Sequence, residues 1–412
     1  MSELLENQRD KQEKLRQIIG KLNGEAEVRK VKKEFDRLIR DVSPEEIAEM
    51  EQALIAGGVP VEQVQKLCDI HVSVFESSLE KQKPGKVLPG HPVHTFRREN
   101  REAEKRIRQL KKAARRVLQG GPLEEYTTVF KSLREIERHF LRKENQLFPY
   151  LEQVGFTGPS QVMWGKQDEI RELFRKTAEV QDRHDFKELK KWTWELTGAL
   201  RRMIFMEEKI LFPASLRKLP ESTWAEIRRG EAEIGYAWIK PGNLWDADII
   251  ISRNRFEAET SKPATGNPPA PASEGAGGPA LDLDVGRLTG EQINLMLRSL
   301  PVDVTFVDEH DRVRYYSQGK ERIFPRSPGI IGREVANCHP PASVHVVEKI
   351  VNSFKNGEKD VAEFWLQKDE KFIHIRYFAL RDQGGAYRGV LEVSQDVSEI
   401  RALEGERRLL DW

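Results

Sequence analysis

A proline-, glycine- and alanine-rich segment divides the chain into two regions of different character. Residues 259–280 read ETSKPATGNPPAPASEGAGGPA, with five Pro, four Gly, five Ala and no aromatic residue. Such a segment cannot bury a core and is typical of a linker. Upstream of it helical periodicity dominates, whereas downstream the segments AEFWLQ, KFIHIRYFAL and GVLEVSQDV are typical of strands. The sequence therefore predicts a multidomain protein, all-α first and then α+β.

Composition and charge exclude several classes of protein. Of the 412 residues 33% are charged, and no apolar run approaches the ~20 residues that a membrane-spanning helix needs. The net charge of +1 gives no overall attraction to nucleic acid or to a membrane surface, so neither is expected as a partner. Cys68 and Cys338 are too few for a disulfide framework or a Cys-cluster zinc site. The first residues lack the pattern of a signal peptide, and we expect a cytoplasmic protein.

Proline and glycine also interrupt the helical region at residues 83–90. Together with the linker, this break predicts the domain boundaries. We expect a small helical domain of unknown function at 1–82 and a four-helix bundle at 90–236. A partly disordered Pro/Gly/Ala-rich linker at 237–287 and an α+β domain with a C-terminal signalling helix at 288–412 follow.

Two carboxylates are predicted to point into the bundle core. The second and fourth long amphipathic segments each contain acids followed by Leu-Phe-Pro. At about 100° per residue, Glu144 lies on the apolar face of the second segment and Glu207 on that of the fourth. An unpaired buried carboxylate costs several kcal/mol, so each needs a cation, for which a metal ion is one candidate.

Histidines occur at a matching depth in the bundle. His91 and His94 open the first helix, and His139 lies near the inward face of the second. Facing His and Glu side chains are the usual ligands of a di-iron carboxylate site. The spacing from His139 to Glu144 is five residues, and Lys143, at the better fourth position, cannot bind a metal while charged. The alternative is a core held by buried Glu–Lys pairs and His hydrogen bonds.

The C-terminal region shows two strands, short helices and three further strands, which is the order of a PAS domain with a five-stranded antiparallel sheet. Its pocket could take haem through an axial histidine, either His345 on the long helix or His339 in Cys-His-Pro-Pro. The alternative for His339 is a structural role, because two prolines after it fix a tight loop. Haem is the less favoured cofactor.

Longer motifs carry a family resemblance that covers nearly the whole chain except the linker. The segments GHPVHTFRREN, HFLRKENQLFPYLE, VMWGKQDEIRELF and EEKILFP resemble a hemerythrin-like (HHE) cation-binding bundle. KLCDIHVSVFE and NCHPPASVHVVEKI resemble the modules before and after it in a three-part bacterial and archaeal family: a helical domain of unknown function, the bundle and a PAS domain.

The resemblance implies mononuclear or di-iron non-haem iron near His91 or His94, His139, Glu144 and Glu207. Gln167 stands where the family has His. Glutamine can offer its carbonyl oxygen but is a weaker iron ligand.

These features favour an intracellular sensor that binds iron in the bundle, detects dioxygen, nitric oxide or redox state, and relays the signal through the PAS domain. A diatomic gas ligand, an unidentified downstream protein and a homodimer are the expected partners. One alternative is a di-iron redox enzyme that consumes oxygen, peroxide or nitric oxide, and another is a metal-free PAS interaction scaffold. We also expect residues 238–245, which carry Trp238 and Trp245, to pack on the bundle or the first domain as a lid near the site.

Overall fold

The computed structural model of the chain describes residues 52–53, 55, 57–59, 64, 87–260, 280–319, 322–368 and 370–406. Most of the domain predicted at residues 1–82 therefore lies outside the described residues, as do linker residues 261–279 and residues 407–412. The chain divides into two compact units, Met1–Glu259 and Thr260–Trp412.

The first unit contains the predicted bundle. Its helices are α1 (Pro92–Leu118), α2 (Leu123–Leu133), α3 (Ile136–Arg142), α4 (Phe148–Gln153), α5 (Gly158–Asp182), α6 (Phe186–Met206), α7 (Phe212–Lys218), α8 (Glu221–Ile234) and α9 (Ala247–Thr260). Helix α1 begins where the His91 side chain accepts a hydrogen bond from the Val93 amide, followed by Pro92 in the first turn. The apolar side chains on the inner faces of the bundle helices, which include Leu133, Leu147, Leu196 and Met203, are buried.

Two π-helical turns interrupt the bundle at matching places. Lys143–Leu147 separates α3 from α4, and Glu207–Leu211 separates α6 from α7. Each turn is followed by Phe-Pro, and a proline cannot donate the hydrogen bond that continues an α-helix. A wider turn accommodates the missing donor, and such turns are frequent at functional sites. The two segments predicted as continuous helices are therefore each broken next to their buried carboxylate.

The second unit contains the predicted five-stranded antiparallel sheet. It begins with β1 (Ala280–Asp282), β2 (Arg287–Thr289) and α10 (Gly290–Ser299). Strands β3 (Asp303–Asp308), β4 (Val313–Tyr316), β5 (Val361–Lys368), β6 (Lys371–Arg381) and β7 (Tyr387–Asp396) pair in the order β4-β3-β7-β6-β5.

Helices complete the second unit. Helix α11 (Pro341–Lys355) precedes β5, and α12 (Ser398–Arg401) follows β7. One face of the sheet forms a small core with α11 that includes Val307, Phe354 and Val390. Helix α12 ends at Arg401 and residues 402–406 are not helical, so the described residues show one short helix where the signalling helix is predicted.

Candidate cation site in the bundle core

Four buried carboxylates and their cationic partners form a cluster in the bundle core. Glu99 lies on α1, Glu144 and Glu207 lie in the two π-helical turns, and Glu231 lies on α8. Each of these side chains is at most 3% exposed. A charge that is removed from water in this way must be paired, since its desolvation otherwise costs several kcal/mol.

His139, which is fully buried on α3, links two of these carboxylates. Its Nδ1 lies 2.9 Å from Glu99 Oε2, and its Nε2 lies 3.0 Å from Glu207 Oε2. The ring also packs edge-on against Phe96, with 4.9 Å between the ring centroids. Both ring nitrogens are therefore engaged by carboxylates on opposite sides of the imidazole.

Lys143 lies next to Glu207 at the centre of the cluster. Its side chain is fully buried, and its Nζ donates a hydrogen bond to Glu207 Oε1. Burial alone would raise the pKa of Glu207, but His139 and Lys143 outweigh it and lower that pKa to about 2. Burial lowers the pKa of Lys143, and Glu207 opposes that shift. The net charge of the Lys143–Glu207 pair is zero whichever atom holds the shared proton.

Gln167 connects this pair to the next carboxylate. In the amide orientation that gives both of its ends a partner, its nitrogen donates to Glu144 Oε1 over 2.7 Å and its oxygen accepts from Lys143 Nζ over 2.7 Å. Glu144 also receives two hydrogen bonds of 2.9 and 3.1 Å from Arg171 on α5. Burial raises the pKa of Glu144 to about 7, although Arg171 opposes the shift.

Arg142 joins the other side of the cluster to the end of α8. It is fully buried, donates to Glu99 Oε2 and lies 3.4 Å from Glu231 Oε1. Glu99 Oε1 accepts a further hydrogen bond of 2.7 Å from the backbone amide of Ala237, beyond α8. Burial raises the pKa of Glu231 to about 7 against the effect of Arg142.

The two histidines at the start of α1 have different neighbours. His91 lies between Trp224 and Trp245, with 4.8 Å between ring centroids in each case, and burial lowers its pKa to about 4. His94 lines an open groove of about 880 Å³ on the surface of α1. Of the six predicted metal ligands, the structure places His139, Glu144, Gln167 and Glu207 in one cluster and His91 and His94 outside it.

Sequence reasoning missed four members of the cluster: Glu99, Arg142, Arg171 and Glu231. Glu99 carried a usable signal, because it is three residues after Phe96 and four before Ala103 on the apolar stripe of α1. Arg142 is likewise one helical turn after His139. Arg171 and Glu231 could not be assigned, since their role depends on how α5 and α8 pack.

The cluster as arranged does not fit a resident iron ion. Among the residues that the structure describes, no group of three or more His, Cys, Asp or Glu side chains could hold a metal. His139 would have to lose a hydrogen bond before one of its ring nitrogens could bind a metal, and Glu207 already accepts a hydrogen bond from Lys143. Arg142, Lys143 and Arg171 already pair with the buried carboxylates, so a divalent ion would have to displace cations of the chain itself.

The described surroundings of His339 do not fit a haem. His339 is one of the residues around a cavity of about 20 Å³ next to Val351 and Tyr377, which has room for about one water molecule. Burial lowers the pKa of His339 to about 4, so its ring is neutral near pH 7. His345 is exposed on α11.

Comparison with known families assigns each part of the chain. A family of unknown function (DUF438) matches residues 15–81, the hemerythrin HHE cation binding domain matches residues 91–215, and a PAS domain matches residues 293–398. The three matches lie in the order of the predicted three-part organisation. The predicted order of the modules is confirmed, with the HHE bundle in the first unit and the PAS domain in the second.

Two solved structures are similar to a part of the chain. The C-terminal domain of a protein from Streptococcus mutans is 36% identical and covers 31% of this chain and 98% of its own, with a TM-score of 0.30. The PAS domain of a protein from Colwellia psychrerythraea is 16% identical and covers 26% of this chain and 97% of its own, with a TM-score of 0.22. No curated protein matches the chain. Within the described residues, no helix has the length and apolar character to cross a membrane.

Proposed function

We propose that the chain is a signalling protein whose PAS domain pairs with a second copy of itself. HHE and PAS domains together fit a sensor or signalling protein, and PAS domains often mediate protein interaction or dimerisation. The observation that carries the proposal is an apolar row on the outer face of the PAS sheet, opposite the face that forms the core with α11.

The apolar row crosses four neighbouring strands. Phe306 on β3 pairs with Leu391 on β7, Leu391 pairs with Phe378 on β6, and Phe378 pairs with Val361 on β5. Successive strand residues point to opposite faces, so this row lies opposite the core residues Val307 and Val390. Its end at β5 is open, since Val361 is 50% exposed and Trp365, on the same face, is 61% exposed.

Helix α10 supplies a matching apolar surface. None of its residues is buried, and Leu295 and Met296 are each more than half exposed. An exposed helix face and an exposed sheet face on one domain can both be covered when two copies meet about a two-fold axis. A second PAS domain is therefore the occupant that we assign to this surface.

A substitution at Trp365 tests the pairing. We expect light scattering of the whole chain to give twice the 47.6 kDa mass of one copy. Trp365→Glu should raise the dissociation constant of this dimer at least tenfold, because the substitution places a charge in an apolar contact. Val285→Glu is the control, since Val285 is 93% exposed in the same unit and away from the sheet face. A wild-type monomer at ~100 µM, or a Trp365→Glu variant that pairs like the wild type, would contradict the proposal.

Detection of dioxygen, nitric oxide or redox state through non-haem iron stays a prediction, as does redox turnover by a di-iron centre. Both functions need metal ligands, and the candidate ligands in the cluster already bind other side chains. His139 would have to free a ring nitrogen, and Lys143 would have to move away from Glu207. The buried cluster instead supports a bundle that keeps its core charges paired within the chain. This arrangement favours signalling by the PAS domain over chemistry in the bundle.

A further inference from the structure

We propose that Lys143 fills the cation position of the HHE bundle, so that the bundle core is complete without a metal ion. This inference concerns the bundle alone and does not depend on pairing of the PAS domain. It rests on the position of the Lys143 ammonium group among the predicted ligands.

Lys143 Nζ contacts two candidate ligand side chains, and one of these contacts a third. It donates to Glu207 Oε1, it lies 2.7 Å from the Gln167 oxygen, and that amide in turn lies 2.7 Å from Glu144. Toward Phe140, Nζ faces an aromatic ring whose centroid lies 4.9 Å away. An ion held by these same oxygens would occupy the space of the ammonium group.

Gln167 suits an ammonium group better than it suits iron. Its carbonyl oxygen accepts a hydrogen bond from Lys143, while its amide nitrogen donates to Glu144. One neutral side chain therefore serves a buried donor and a buried acceptor at the same time, which leaves neither unsatisfied. Because an amide oxygen is a weak ligand for iron, the same residue lowers the affinity of the position for the metal.

The π-helical turn explains how Glu144 is buried beside Lys143. In a uniform α-helix the residue four after His139 shares its face, and the residue five after it does not. The wide turn begins at Lys143, and both Lys143 and Glu144 are buried in the core. A single bulge thus delivers a cation and a carboxylate to one site, and the chain supplies both charges itself.

Removing the lysine should convert the position into a metal site. We expect excess Co²⁺, added to the whole chain, to leave the wild-type melting temperature unchanged within ~1 °C. In Lys143→Met, which keeps the aliphatic stem, Glu207 and Gln167 lose their cation. Co²⁺ at ~100 times its dissociation constant should then raise the melting temperature by about 5–10 °C and give a visible absorption spectrum.

Lys166→Met is the matched control, because Lys166 is a largely buried lysine of α5 that pairs with Glu169 outside the cluster. This variant should respond to Co²⁺ as the wild type does. A wild-type protein stabilised by Co²⁺ as strongly as Lys143→Met, or a folded Lys143→Met variant without any response, would overturn the proposal. If Lys143→Met folds only with Co²⁺ present, the proposal is supported; if it never folds, the wild-type titration decides.

Discussion

Replacing Arg142 with alanine should destabilise the bundle by about 3–5 kcal/mol, one of the two largest effects expected of a single substitution in this chain. The guanidinium group is fully buried and donates to Glu99 while it lies 3.4 Å from Glu231. Without it, two buried carboxylates lose their main cation. Urea unfolding, followed by the helical circular dichroism signal, measures the loss.

Arg138→Ala is the control for this experiment. Arg138 lies one turn earlier on α3, its side chain is 52% exposed, and it pairs with the 43% exposed Glu135 at 3.5 Å. Exposed ion pairs of this kind contribute about 0–1 kcal/mol. An Arg142→Ala variant as stable as Arg138→Ala would show that the cluster does not need the guanidinium group.

Replacing Glu207 with leucine should cost a similar amount, about 3–5 kcal/mol, because both His139 and Lys143 lose a buried acceptor. The double variant Lys143→Met/Glu207→Leu should be more stable than the sum of the two single losses predicts. Two apolar side chains leave no unpaired charge, and residues in direct contact couple by about 0.5–3 kcal/mol.

Glu208→Leu provides the comparison within the same π-helical turn. The Glu208 side chain is 26% exposed and pairs with Arg97 at 3.2 Å and with Asn100 at 3.3 Å. It lies outside the cluster, so a smaller loss is expected. Strictly additive losses for the double variant would contradict direct pairing of Lys143 with Glu207.

The sequence predicted the fold class well because the patterns involved are local. Helical periodicity identified the long bundle segments, and the alternating segments after the linker identified the sheet, whose five-stranded antiparallel order is confirmed. The sequence also predicted that Glu144 and Glu207 lie on the inward faces of their segments, and both side chains are buried. What periodicity could not supply was the arginine partner of Glu144, since Arg171 on α5 reaches it only through the packing of separate elements.

Uniform helical phase did not predict the two π-helical turns. It placed Lys143 on the better ligand position and treated its charge as an obstacle to a metal site. The structure shows Lys143 paired with Glu207 and the two π-helical turns beside the buried acids. The metal-free alternative, a core of Glu–Lys pairs and His hydrogen bonds, describes the observed contacts of these residues.

The predicted packing of residues 238–245 on the bundle is confirmed. Trp238 Nε1 donates a hydrogen bond of 2.7 Å to the backbone oxygen of Ser132. The backbone amide of Trp245 donates one of 2.9 Å to the backbone oxygen of Pro89. The backbone amide of Ala237, next to Trp238, donates a hydrogen bond to Glu99 Oε1. The charged cluster therefore fixes the start of the segment that follows α8. Transmission of a signal from this segment to the PAS domain stays a prediction.

The iron content of the whole chain tests the central claim most directly. Protein produced in iron-rich medium and purified without oxygen is measured by mass spectrometry of its metals, together with its optical spectrum. If Lys143 fills the cation position, iron should be below ~0.1 atom per chain, because both ring nitrogens of His139 and the four buried carboxylates already have partners within the chain. One or two iron atoms per chain, with the absorption bands of a non-haem iron centre, would contradict it.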